Sequence, residues 1–432
     1  MTAVRKHLTQ SIIWRGFYFI TLLLVNIVLS RVLKAEGAGI VFYLTNLFAF
    51  GVLVFSANLD GGFTFYASSK TIAHEKLASL AILWTLIMGL LAYLLIPIYF
   101  KHFDSDILYK QLNKSYLGIY YLVGVLFINF FTALFYSNNN YFVPNVILGL
   151  SNLMFIGLVY FGVVTNASNS DIIQDYFQFI TFQGSLLLIA YFTVYKVIPK
   201  IELPNSRDLK ALFHYSSISL LGNFLFFFVY RLDYWFVKDW CKQTGDLGNY
   251  IQASKLAQML LVLPQILASS IFPQLASGNN TKDIIESITK LCRLFIVVFA
   301  IIFLIIFCFG KTLFPFVFGV SFSSMYWPML ILLPGILCLC CSTLLSAYFS
   351  GKKQNQINLY AAAIALTIML VSTFLFKSYY TIIIAAGISS IAYFIEAFYC
   401  FIQFSKHEKI SWKQFFKFCK QDWMWIKNLF AR

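Results

Sequence analysis

The chain has 432 residues, 60% of them hydrophobic and only 11% charged, with a net charge of +15. Soluble domains are about a quarter charged, so this composition excludes a water-soluble globular protein and requires lipid as the solvent. Crossing a hydrocarbon core of about 30 Å takes roughly 20 apolar residues. Twelve such runs occur, at 11–33, 37–59, 78–100, 115–136, 143–164, 176–197, 212–237, 247–272, 290–310, 325–349, 355–376 and 380–404. The chain reads as an all-α polytopic membrane protein.

The first run is too long for a signal peptide and lacks a small-residue cleavage site, so it is expected to stay as an anchor. Within it Ser11, Arg15, Tyr18, Leu22 and Asn26 fall on one helical face at about 100° per residue. That mostly polar face suits a wet lining. For Arg15 two other roles stay open: snorkelling to the inner headgroups, or pairing with Asp60 at the end of the second run. Arg31 lies near the outer end of the first run.

Loops are short, and the 165–175 loop offers only Asp171 and Asp175 as acids. In the seventh run, "FFFVYRLDYWFVKDW" (226–240) sets Arg231 and Asp233 two residues apart. On a helix these point about 200° from one another, so they cannot pair and each needs its own partner. Lys255 lies about eight residues into the eighth run, or about 12 Å from its outer end. That matches the depth of Asp233 and makes an Asp233–Lys255 pair the expectation, with Arg231 facing the interior. Cys338, Cys340 and Cys341 read as small apolar fillers of a buried helix rather than a disulfide or metal site. Glu396 sits alone in the twelfth run, either as a capped structural carboxyl or as a proton or sodium site. The tail at 405–432 alternates lysines with Trp412, Phe416 and Trp423, a pattern that predicts a basic aromatic amphipathic helix on the inner leaflet.

With the amino terminus inside, 20 lysines and arginines fall at inner loops and tails against 9 at outer loops. The basicity thus encodes orientation, with both termini cytoplasmic, rather than nucleic-acid binding. The chain also repeats itself: Gly16 to Gly39 in the first half matches Gly222 to Gly248 in the second, each beginning with a polar-edged helix. Two six-helix lobes follow, at 1–203 and 204–404.

Signals for chemistry fail one by one. His7, His74, His102, His214 and His407 are scattered without metal-site spacing. "FGKTL" (309–313) has Ile305 where a phosphate loop needs glycine, and "EGAG" (36–39) lacks a third glycine. A membrane-embedded polymerase or glycosyltransferase would want acidic residues in a large outer loop. No catalytic residue, metal or cofactor is expected.

The segments "YRLDYWFVK", "GNYIQASKLAQMLLVLPQILASSIFPQLAS", "PFVFGVSFSSMYWPMLILLPG" (315–335) and "AYFSGKKQNQINLY" (347–360) resemble the polysaccharide-transport flippases of the multidrug/oligosaccharidyl-lipid/polysaccharide (MOP) superfamily. The resemblance spans nearly the whole chain and implies two lobes around a central cavity that opens to each side in turn. It implies a Wzx-like exporter of undecaprenyl-pyrophosphate-linked oligosaccharide units for O-antigen or another surface polysaccharide in a bacterial inner membrane. Cavity cations would be Arg231, Arg15, Lys255 and Arg31, with Ser11, Tyr18 and Asn26 as polar lining. Asp233, Asp60 and Glu396 would form structural pairs or couple transport to H⁺ or Na⁺, the membrane potential being the alternative drive. Membrane lipids, a polysaccharide polymerase and a chain-length regulator are the implied partners. The alternative within the superfamily is a drug/cation antiporter, which wants buried acids where the first run has none.

Overall fold

The structure is a computed structural model that describes residues 2–103, 113–196, 202–243, 245–276, 281–352, 354–410 and 415. Among these residues it is helical throughout, with no strand. Eleven helical runs are long and apolar enough to cross a membrane, and the first is 47 residues, twice the needed length. That run belongs to α1 (Thr2–Ser56), which is broken at Lys34 (φ 57, ψ −179). A lysine at positive φ is strained by about 1–3 kcal/mol, so this position is a true break in the helix. Split there, α1 supplies two crossings and the chain makes twelve, as its sequence predicts.

After a second bend, with Ala57 and Asn58 at φ 47 and 55, the short α2 (Leu59–Ser68) follows. Four long helices complete the first series: α3 (His74–Phe103), α4 (Lys114–Ser137), α5 (Phe142–Val164) and α6 (Asn169–Tyr195). The helix α6 starts with a capping box, in which the Ser168 backbone N–H donates to the Asp171 carboxylate and the Asp171 N–H donates to the Ser168 hydroxyl. One of the two acids in that loop is therefore a helix cap.

The second series opens with α7 (Ser206–Arg231) and α8 (Asp233–Trp240), separated only by Leu232. It continues through α9 (Asp246–Met259), α10 (Val262–Ala276), α11 (Thr281–Phe318), α12 (Tyr326–Gly351), α13 (Asn355–Leu375) and α14 (Ile382–Glu408). The chain forms two compact units, Met1–Phe224 and Leu225–Arg432. The boundary falls within α7, past the loop at 203–204, because the first part of α7 packs on the first unit. Phe213 meets Trp84 at 5.2 Å, Tyr215 stacks on Phe65 at 4.9 Å, and Asn223 donates to Asn58.

Each unit is built on the same pairings, which is the physical content of the repeat. The fourth crossing packs most extensively on the sixth (α4 on α6), and the tenth on the twelfth (α12 on α14). The third lies on the fourth, and the ninth on the tenth. Both principal contacts are close enough to need small residues. A Cβ on Gly184 would sit 2.5 Å from the Gly124 carbonyl oxygen, and one on Gly335 would sit 2.7 Å from the Ser390 Cα. Lipid gives helices no hydrophobic reason to associate, so close backbone packing of this kind supplies much of the attraction.

The tail helix expected at 405–432 lies mostly outside the described residues. Its one described residue beyond 410, Phe415, is buried, with its ring centroid 4.7 Å from that of Phe401.

Candidate functional site

The charges of "YRLDYW" sit at a helix junction. Arg231 closes the last turn of α7 and Asp233 opens the first turn of α8. The predicted divergence of the two side chains holds. The Arg231 guanidinium lies over the Phe227 ring, 5.6 Å from its centroid, while Asp233 points into the second unit and is 1% exposed.

The expected Asp233–Lys255 pair is not formed. Asp233 instead accepts hydrogen bonds from the hydroxyls of Tyr250 and of Ser389 (2.8 Å), both through Oδ2. Two hydroxyls bond one carboxylate oxygen without the cost of desolvating a second charge. Beside them Tyr234 donates to Ser254, and the Gln258 amide donates to Ser254 and to the Tyr230 carbonyl. Lys255, on α9, belongs to the same unit as Arg231. Asp233 is thus held by hydroxyls within the second unit, which also carries Arg231 and Lys255.

Glu396, on α14, is 3% exposed and accepts a 3.2 Å hydrogen bond from Ser342. Among the described residues, Asp233 Oδ1 and Glu396 Oε2 receive no hydrogen bond.

In the first unit, Arg15 forms no ion pair with Asp60. Its guanidinium lies 4.4 Å from the centroid of the Tyr136 ring and 5.6 Å from that of Tyr141. Tyr136 and Tyr141 are themselves held by Asn145, which bonds the Tyr136 hydroxyl and the Tyr141 carbonyl. A guanidinium over aromatic faces gains about 0.5–2 kcal/mol from the ring quadrupoles. Asp60 lies in the first turn of α2, where a carboxylate suits the positive helix end. Ser11, Tyr18 and Asn26 are half-buried, and Asn26 bonds back to the Leu22 carbonyl of its own helix. Arg31 is exposed, one turn before the Lys34 break.

Several polar groups escape the sequence reading. Thr21, Asn152, Ser151 and Gln183 form a buried network: Asn152 donates to Thr21, and Gln183 donates to both Ser151 and Asn152. Arg293, on α11, is 7% exposed. Counting it with the inner-loop flank hid it, although a charge three residues into the run at 290–310 was a readable signal. No group of three or more His, Cys, Asp or Glu side chains able to hold a metal occurs among the described residues.

Residues 176–326 match the family described as "Polysaccharide biosynthesis protein". No curated protein matches the sequence significantly. Among solved structures, the chain is similar to an inward-facing multidrug resistance MATE transporter of the MOP superfamily (TM-score 0.71, 14% identity, covering 91% of this chain and 96% of that one). It is also similar to the lipid II flippase MurJ in an inward closed conformation (TM-score 0.70, 13% identity, covering 96% and 89%). A third is a MOP superfamily transporter from Pyrococcus furiosus, described as having a binding pocket of reverse polarity that suggests a different function (TM-score 0.59, 14% identity, covering 93% and 95%). The fold is that of the MOP-superfamily transporters, and the resemblance read from the sequence is borne out.

Proposed function

We propose that this MOP-superfamily chain flips a polyprenyl-pyrophosphate-linked oligosaccharide across a bacterial inner membrane by alternating access, for O-antigen or another surface polysaccharide. The observation that carries the reading is the presence of Arg231 and Lys255 inside membrane-spanning helices of one unit, where Asp233 is bonded to hydroxyls. Buried cations are expensive in lipid and are kept where an anion or a wet passage uses them. Arginine suits a pyrophosphate because its planar fork makes bidentate charge-assisted bonds. Arg15, on its tyrosine platform, is the corresponding cation of the first unit. The likeness to the Pyrococcus furiosus transporter, with its binding pocket of reverse polarity, supports the idea that this fold accepts a pocket of altered polarity.

The physics of the step needs no nucleotide. A sugar head crossing hydrocarbon loses hydrogen bonds worth several kcal/mol for each stranded polar group, and a polar passage keeps them made. An inside-negative potential favours outward movement of an anion by about 2.3 kcal/mol per charge per 100 mV. A drug/cation antiporter would rest on Asp233 and Glu396 instead, and the free carboxylate oxygen on each is what favours that second reading. The test is rescue of repeat-unit export in a flippase-deficient strain.

Orientation is part of the proposal. Asn169 and Lys352 are both exposed at helix ends. In a cysteine-free background, Asn169→Cys is expected to react with an impermeant thiol reagent in intact cells and Lys352→Cys only after lysis. The reverse pattern would place both termini outside.

A further inference from the structure

The first unit contains a cavity of about 200 Å³ between the second half of α1, α3 and α4. Phe48 and Phe55 of α1, Ile96 and Tyr99 of α3, and Gly118 of α4 line it, and Tyr99 is the only lining residue with a polar side chain. Glycine makes the space: a Cβ on Gly51 would meet only Leu122 and Phe55, at 3.9 and 4.0 Å. The cavity borders α3, whose lining residue Leu95 is half-exposed. An apolar cavity of this kind stays dry, because a water inside would find no partners. In a membrane-spanning unit the hydrocarbon outside the cavity is lipid chain, and filling the space regains the dispersion contacts that an empty one forfeits.

The rim indicates what the chain is attached to. Lys114 lies four residues before Gly118 on α4 and so stands one turn beyond it on the same stripe. Lys101 and His102 are exposed in the last turn of α3, directly after the lining residues Tyr99 and Phe100. The sequence between α3 and α4 adds Asp104, Asp106 and Lys110, which lie outside the described residues. Cations thus end both helices on the side where Phe100 and Gly118 line the cavity.

We propose that the α1–α3–α4 cavity is a binding site for one acyl chain of an anionic phospholipid, whose phosphate lies against Lys101 and Lys114. The site is separate from Arg231 and Lys255 and does not depend on what the protein transports. Lipid held there stabilises the folded unit by mass action, since the unfolded chain has no such cavity.

The test fills the cavity from the helix that carries Gly51. Thermal unfolding of the purified full chain in detergent is followed with added phosphatidylglycerol, and separately with glycerol phosphate, which has the head without the chains. Wild type is expected to gain Tm with phosphatidylglycerol and not with glycerol phosphate. Gly51→Leu is expected to keep its lipid-free Tm and lose at least about half of that gain, with Gly51→Ala between the two. Gly157→Leu is the control, because nothing lies within 4 Å of a Cβ there and the position is exposed. It should respond like wild type. Equal gains in Gly51→Leu and Gly157→Leu would overturn the proposal, as would a response to glycerol phosphate equal to that of the lipid. If Gly51→Leu fails to fold, Gly51→Ala decides, and an undiminished gain there overturns the site.

Discussion

Arg231→Ala is expected to abolish export of repeat units in a flippase-deficient strain while leaving the protein folded and inserted. The guanidinium lies over Phe227 at the end of α7, and losing that contact removes about 0.5–1 kcal/mol. That loss alone is too small to unfold a membrane bundle. Transport is another matter, because a charge-assisted bidentate bond to phosphate is about twice as strong as a neutral one and has no substitute in alanine. Arg231→Lys should restore part of the activity, since an ammonium keeps the charge and loses the fork. Lys255→Gln should reduce export less than Arg231→Ala, because Arg231 remains to carry the contact. Export is read per unit of membrane-inserted protein, so a stability defect cannot pass for a transport defect. Normal export by Arg231→Ala would remove the best residue from the cationic reading.

The second large effect is expected at Asp233, and it should fall on stability. Asp233→Ala strips the acceptor from two buried hydroxyls, those of Tyr250 on α9 and Ser389 on α14. Each stranded hydroxyl costs about 1–3 kcal/mol in a protein interior. Hydrogen bonds between membrane helices average nearer 0.6 kcal/mol, so a total of about 1–3 kcal/mol is the expected loss. Lower membrane abundance and a lower Tm are the readouts. Asp233→Asn keeps an oxygen with two lone pairs for the same two hydroxyls and should recover most of both. It should also export, because the role assigned to Asp233 is to join α8, α9 and α14. A stable, abundant Asp233→Asn that exports nothing would instead make the carboxylate a coupling site for H⁺ or Na⁺, alongside Glu396.

The architecture was legible because lipid leaves a plain record: every crossing must be apolar and every loop need not be. The break in α1 was visible as the polar "KAEG" between two apolar runs, and the structure puts the strained residue at Lys34 within it. The repeat was visible only as spaced glycines, and the structure gives it meaning as the α4–α6 and α12–α14 contacts. Helix ends were less readable. The ninth crossing was expected at 290–310, whereas α11 runs from Thr281 to Phe318, since polar residues outside the hydrocarbon continue a helix without any apolar signal.

The site divided along the same line. Local geometry correctly separated Arg231 from Asp233, because a 200° offset follows from the helix alone. The partner of Asp233 could not be found that way. Ser389 lies 156 residues away, and its choice over Lys255 depends on how α8, α9 and α14 pack. Depth in the membrane was a guide to distance along one axis only. Arg15 failed for a similar reason: Tyr136 and Tyr141 flank the turn between α4 and α5, and nothing in the first run indicates them.

The most direct measurement uses purified protein in liposomes under an imposed potential, with a polyprenyl-pyrophosphate oligosaccharide labelled on its sugar. Movement is read as protection from, or exposure to, an impermeant sugar-modifying enzyme. The account predicts protein-dependent movement toward the positive side, lost in Arg231→Ala and kept in Asp233→Asn. Failure of the wild type to move the lipid-linked sugar, with proton- or sodium-driven movement of a cationic drug instead, would contradict it.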